Sequence, residues 1–148
     1  MKIAVRYQSG GGNTKTVAEA IAKVTGVKTE PIDVPLDDSV DLLFVGGGFY
    51  GGIVKGDIDP SLRNYLEELE PDVVKSVAAF STAGVLDGAK RIANIVRQKG
   101  IKVCGDALPL KVGTRNHRTF VKEGVLTLTD KEIAKIERFT NNAIDSIN

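Results

Sequence analysis

The sequence predicts an open, doubly wound α/β domain, a parallel sheet with helices on both faces. Three observations carry this. Strand-like and helix-like segments alternate strictly along the 148 residues. Three strand segments have continuous apolar cores at 3–5, 42–45 and 77–80, as expected for parallel strands covered on both sides. A glycine-rich turn, Ser9-Gly10-Gly11-Gly12-Asn13-Thr14, joins the first strand to the first helix, and such folds hold ligands at the C-terminal strand ends.

The first strand spans 2–7 on the strength of Ile3, Ala4, Val5 and Tyr7. A helix over 14–25 follows from Val17, Ala18, Ile21, Ala22 and Val24 at helical spacing, and Gly26 ends it. The second strand covers 27–33, and the connection 34–40 leaves room for at most one helical turn. The third strand, 41–47, runs into a glycine-rich segment. The next helix, 60–68, opens with Pro60 in its first turn and Asp59 as its cap. The fourth strand is 76–82, and the third helix, 88–99, stops at Gly100. A fifth strand at 102–108 precedes the last helix, 129–147. There Thr129 is the cap and Glu132, three residues on, completes a capping box.

A chain of this length is one domain, 1–148, with a sizeable core. Twenty basic and 19 acidic residues intermix to a net charge of +1, which gives no electrostatic case for nucleic acid or an anionic membrane. No apolar run approaches the ~20 residues of a membrane span. The N-terminus lacks a signal-peptide pattern and enters its first core strand at Ile3, so a cytoplasmic location is expected. Cys104 stands alone in an apolar run, which excludes an internal disulfide and a cysteine metal set and predicts a core thiol. The segment 111–119, with Lys111, Arg115, His117 and Arg118, is expected to be a solvated loop.

The turn at 9–14 has the chemistry of a phosphate cradle. Its glycines let the backbone approach a ligand, the helix N-terminus adds partial positive charge, and Ser9, Asn13 and Thr14 offer side-chain hydrogen bonds. A dinucleotide fingerprint fails because Lys15 stands where the third glycine belongs. A nucleoside-triphosphate loop fails because Thr14 precedes Lys15-Thr16 and the leading glycine is misplaced.

Residues 9–14 do resemble the phosphate loop of the flavodoxins, commonly Ser/Thr-x-Thr-Gly-Asn-Thr, which holds the terminal phosphate of flavin mononucleotide (FMN). Gly11 stands where the family usually has a hydroxyl residue. After the third strand, Gly46-Gly47-Gly48-Phe49-Tyr50-Gly51-Gly52 resembles the first flavin-ring loop, which implies Tyr50 on the ring and Gly51 at its reactive edge. After the fourth, Ser81-Thr82-Ala83-Gly84-Val85-Leu86-Asp87-Gly88 resembles the second ring loop, often Gly-Ser-Tyr-Gly-Trp-Gly-Asp-Gly. Val85 and Ala83 replace common aromatics and Gly52 a frequent acidic residue, so weaker FMN binding than in an aromatic sandwich is implied.

The resemblance implies a flavodoxin-like three-layer sandwich with a five-stranded parallel sheet of order 2-1-3-4-5. Its implied FMN contacts are Ser9, Gly10, Gly11, Gly12, Asn13 and Thr14 for the phosphate, with Gly48, Phe49, Tyr50, Gly51, Gly52, Thr82, Ala83, Gly84, Val85 and Asp87 around the ring. It implies electron transfer with a redox partner protein, without a catalytic acid, base or metal; the oligomeric state is open. Lys55 and Lys90 with Asp57, Asp59 and Asp87 make the rim mixed rather than strongly acidic. The rival readings are a flavin-dependent reductase or oxidase acting on a quinone- or porphyrin-like substrate, and a non-redox module of the same fold.

Overall fold

The computed structural model describes residues 1–8, 12–50, 56–82, 88–110, 121–122 and 125–147. Its central sheet is built from β1 (Ile3–Tyr7), β2 (Thr29–Pro31), β3 (Leu42–Gly47), β6 (Ser76–Ser81), β7 (Lys102–Val103) and β8 (Leu108–Pro109). The spatial order is β2-β1-β3-β6-β7, with β8 also on β6, and all these pairings are parallel. This is the order 2-1-3-4-5 that the sequence resemblance implies. Two small antiparallel ladders lie outside it: β4 (Phe49–Tyr50) with β5 (Asp57–Ile58), and β9 (Val121–Lys122) with β10 (Val125–Leu126).

Alternation along the buried strands assigns a core to each face. Leu43, Val45, Val77 and Ala79 face one way, packing with Leu62, Leu66, Ile92 and Val96 from α2 (Pro60–Glu67) and α3 (Gly88–Gln98). Leu42, Phe44, Ala78 and Phe80 face the other, against α1 (Asn13–Thr25) and α4 (Asp130–Asp145). There the rings of Phe44 and Phe139 meet edge to face, with centroids 5.8 Å apart. Cys104 is buried in this second core, as expected of an apolar-run thiol.

The helix ends follow their local chemistry. Asp59 accepts from the Ser61 amide at 2.8 Å. The Thr129 hydroxyl accepts from the Glu132 amide at 3.2 Å, while the Glu132 carboxylate accepts from the Thr129 amide at 2.9 Å. Gly26 adopts φ 77° at the end of α1.

Two strands differ from the sequence expectation. The second strand is only Thr29–Pro31 rather than 27–33, because the chain turns there, the Val34 amide donating back to the Pro31 carbonyl at 3.1 Å. The fifth strand is broken into β7 and β8. Val103 pairs with Val77 and Leu108 with Phe80, so the four residues 104–107 face only Ala78 and Ala79, and Gly105 at φ 64° turns the excess outward. The connection 34–40 contains bends and no helix. Beneath it Arg6, 7% exposed, donates to the carbonyls of Val34 and Pro35 at 3.1 Å and of Val5 at 3.2 Å. A segment without helical hydrogen bonds needs other partners for its carbonyls, and the guanidinium supplies them.

Candidate functional site

Because β1, β3 and β6 are neighbours in the sheet, the three glycine-rich connections leave it side by side. Hydrogen bonds join their first residues: the Gln8 amide donates to the Gly46 carbonyl at 3.0 Å, and the Thr82 amide to the Gly47 carbonyl at 3.3 Å. The third link is a side-chain contact. Thr14, at the start of α1, lies 2.9 Å from Thr82, hydroxyl to hydroxyl, and both residues are buried. Two hydroxyls hold two hydrogens and use one between them, so one donor and further lone pairs remain for a ligand.

α1 begins without a side-chain cap. Gly12 is its N-cap at φ 92°, a left-handed conformation that favours glycine; it has no side chain to cap with, and its carbonyl accepts from the Thr16 hydroxyl at 3.0 Å. First-turn amides have no intrahelical carbonyl to donate to, and the helix dipole concentrates positive potential there. That chemistry suits an anion.

At the end of β3 the two glycines permit close packing. A Cβ on Gly46 would lie 2.4 Å from the Phe80 ring, and one on Gly47 2.5 Å from Leu62. Among the described residues three buried polar atoms find no partner: Gln8 Oε1, Ser81 Oγ and the Tyr65 hydroxyl. Burial pushes the Tyr65 phenol up, and the charge of Arg6 counters this only in part. Gln8 and Tyr65 line a cavity of about 530 Å³ between the ends of β1 and β2 and α2.

Of the sequence-predicted positions, Gly12, Asn13, Thr14, Gly48 and Thr82 converge at these strand ends, and Phe49 and Tyr50 form β4. Ser9, Gly10, Gly11, Gly51, Gly52, Ala83, Gly84, Val85 and Asp87 lie outside the described residues, as do Lys55 and the segment 111–119. Among the described residues no three His, Cys, Asp or Glu side chains are grouped to hold a metal ion. Among the described residues no helix is long and apolar enough to cross a membrane.

At the rim, expected to be of mixed charge, the described residues form ion pairs. Asp57, in β5, accepts from Arg63 at 2.5 Å and pairs with Arg91 at 3.0 Å, while Arg91 also donates to the Gly56 carbonyl at 3.3 Å. Asp59 is the cap of α2. Sequence patterning did not single out Arg63 or Arg91. Their only local signal is a cation in a helix first turn, where the dipole disfavours it.

Burial would raise the Asp57 carboxyl, but hydrogen bonds from Arg91 and Arg63 outweigh it and hold the group below the ordinary value. A carboxyl lowered on folding stabilises above its unfolded value, about 3.9, and loses that contribution as pH falls through the folded one. Its side chain is 39% exposed, so solvent screening limits the effect to about 1 kcal/mol or less. Denaturant titrations should therefore show Asp57→Asn less stable than wild type at neutral pH, with the gap closing in acid. A gap that persists unchanged to pH values well below the ordinary aspartate range would contradict this.

No family model and no curated protein matches the chain. Solved structures do. A flavodoxin from the domain Archaea superposes with a TM-score of 0.70 at 22% identity, covering 99% of both chains. Oxidised flavodoxin 2 from Bacillus cereus gives 0.70 at 15% identity, also over 99% of both. The flavodiiron protein from Giardia intestinalis matches 99% of this chain with 37% of its own, at a TM-score of 0.61 and 16% identity. The chain has the flavodoxin fold.

Proposed function

We propose that this chain, with its flavodoxin fold, binds one FMN without a covalent bond and passes electrons between redox partners. The observation that carries the reading is the Thr14–Thr82 hydroxyl pair beside the glycine-capped start of α1, at the point where three glycine-rich connections leave adjacent strands. The fit is chemical. Gly12, Asn13 and Thr14, with Ser9, Gly10 and Gly11 before them, would hold the phosphate at the helix start. Gly48, Phe49, Tyr50, Gly51 and Gly52 would flank the ring on one side. Thr82, Ala83, Gly84, Val85 and Asp87 would flank it on the other.

FMN supplies the redox chemistry when bound. The chain's own work is to bind, orient and exclude water. The helix start and the hydroxyl hydrogen that the Thr14–Thr82 pair leaves unused would bind the phosphate. The Gln8–Gly46 and Thr82–Gly47 bonds keep the three connections at one spacing. No side chain needs to act as acid or base.

Fluorescence titration of the purified apo-protein tests the reading. Quenching should saturate at one FMN per chain, with FAD binding no more tightly. No quenching at high micromolar FMN would overturn it. Thr14→Ala should weaken FMN by about 1–3 kcal/mol, the value of a hydrogen bond to a charged group. Riboflavin, which lacks the phosphate, should be nearly unaffected. Equal losses for both flavins would make Thr14 structural. Rapid reduction of the loaded protein by NADPH without a partner reductase would favour a substrate-turning oxidoreductase over a carrier.

A further inference from the structure

The ion pairs around Asp57 join three elements that sequence leaves separate. Asp57 lies in β5, at the base of the hairpin whose other strand is Phe49–Tyr50. Arg63 is in the first turn of α2 and Arg91 in the first turn of α3. The segment 51–55 connects β4 to β5, and 83–87 connects β6 to α3. Arg91 therefore stands one helical turn after one connection and bonds to both Asp57 and the Gly56 carbonyl at the close of the other. Both arginines occupy helix starts, where the macrodipole works against a cation, so helix stability does not account for them. The shared carboxylate does.

We propose that Arg91 is a positioning residue: through Asp57 and Gly56 it locks the base of the β4–β5 hairpin to the first turn of α3 and so fixes Gly56, just before β5, relative to Gly88 at the start of α3. The proposal rests on the FMN reading for its consequence, though the strut itself does not require a ligand. Arg63 bonds the other oxygen of the same carboxylate from α2, and Asp57 Oδ1 meets both Arg91, at 3.0 Å, and the Ile58 amide, at 2.7 Å. Loss of Arg91 should loosen hairpin and helix start together, and leave the phosphate end, held by Thr14 and Thr82, in place.

Two measurements separate the strut from the flavin reading. In the apo-protein, hydrogen exchange at residues 49–50, 56–58 and 88–91 should rise in Arg91→Met and in Asp57→Ala, with β1 and α1 unchanged. Arg91→Lys, which keeps a cation for Oδ1, should restore most of the protection. The double variant should be no worse than the worse single one. Exchange that rises in α3 alone, or no rescue by lysine, would overturn the strut.

In the loaded protein, Arg91→Met should weaken FMN and riboflavin by the same factor, about two- to fivefold, the scale of one half-exposed ion pair. The flavin visible band should shift in Arg91→Met and recover in Arg91→Lys. A loss confined to FMN, or affinity and band both unchanged, would remove Arg91 from the ring site even if the strut exists. Absence of flavin binding in the wild type would sink the FMN reading and leave the exchange result standing.

Discussion

Arg6→Met is expected to lower stability by about 2–4 kcal/mol, measured as a fall in urea midpoint with unchanged slope. Arg6 is a buried cation with no carboxylate within ion-pair distance among the described residues. Its partners are the carbonyls of Val34, Pro35 and Val5. In most doubly wound sheets a helix covers this place and satisfies its own backbone. Here the connection is too short, and arginine does that work because its planar fork reaches several acceptors and its charge is weakly hydrated. Methionine keeps the apolar stem and removes every donor, so the loss reports the hydrogen bonds rather than packing. Arg6→Lys should recover less than half, since an ammonium cannot span the Val34 and Pro35 carbonyls in the same way. A loss below about 0.5 kcal/mol would mean that the cost of burying the cation cancels its bonds.

Gly47→Ala and Leu62→Ala should each destabilise, and the pair together by clearly less than their sum. A Cβ at position 47 would meet Leu62 Cδ2 at 2.5 Å, and overpacking of this kind costs about 1–3 kcal/mol. Leu62 is fully buried, so truncating it leaves a cavity at about 2–5 kcal/mol. The new methyl at 47 would occupy part of that cavity, which couples the two sites. Denaturant unfolding of the four proteins in the cycle measures it. Strict additivity would show that Gly47 is required for its backbone and not for the approach of α2. This contact also bears on the site, because the Gly47 carbonyl accepts from the Thr82 amide. A strand end forced away from α2 should disturb that bond and weaken FMN in Gly47→Ala alone.

Much of the architecture is legible because it depends on local chemistry. The apolar runs at 42–45 and 77–80 become fully buried central strands. Thr129 with Glu132, Asp59 with Pro60, and Gly26 terminate their helices where their side chains or lack of one dictate. The glycine-rich turn marks the end of β1 and start of α1 for the same reason. The site is legible as a set of turns, and its residues gather because neighbouring strands carry them there.

Other features are set by partners distant in the chain. Gly105 is the local sign that the fifth strand divides, but how it divides depends on which β6 residues each half pairs with. Arg6 resembles an ordinary strand residue until the carbonyls of Val34 and Pro35 are laid over it. Arg63 and Arg91 look like two solvated cations until the hairpin brings Asp57 between them.

The central strands, the helices and their caps were thus determined by the sequence alone, because periodicity, capping and glycine content act over a few residues. Tertiary structure alone decided the Thr14–Thr82 contact across 68 positions, the buried arginine under 34–35, and the strut at Asp57. Each joins polar groups from separate elements. Their strength comes from proximity and exclusion of water, which exist only once the sheet has assembled.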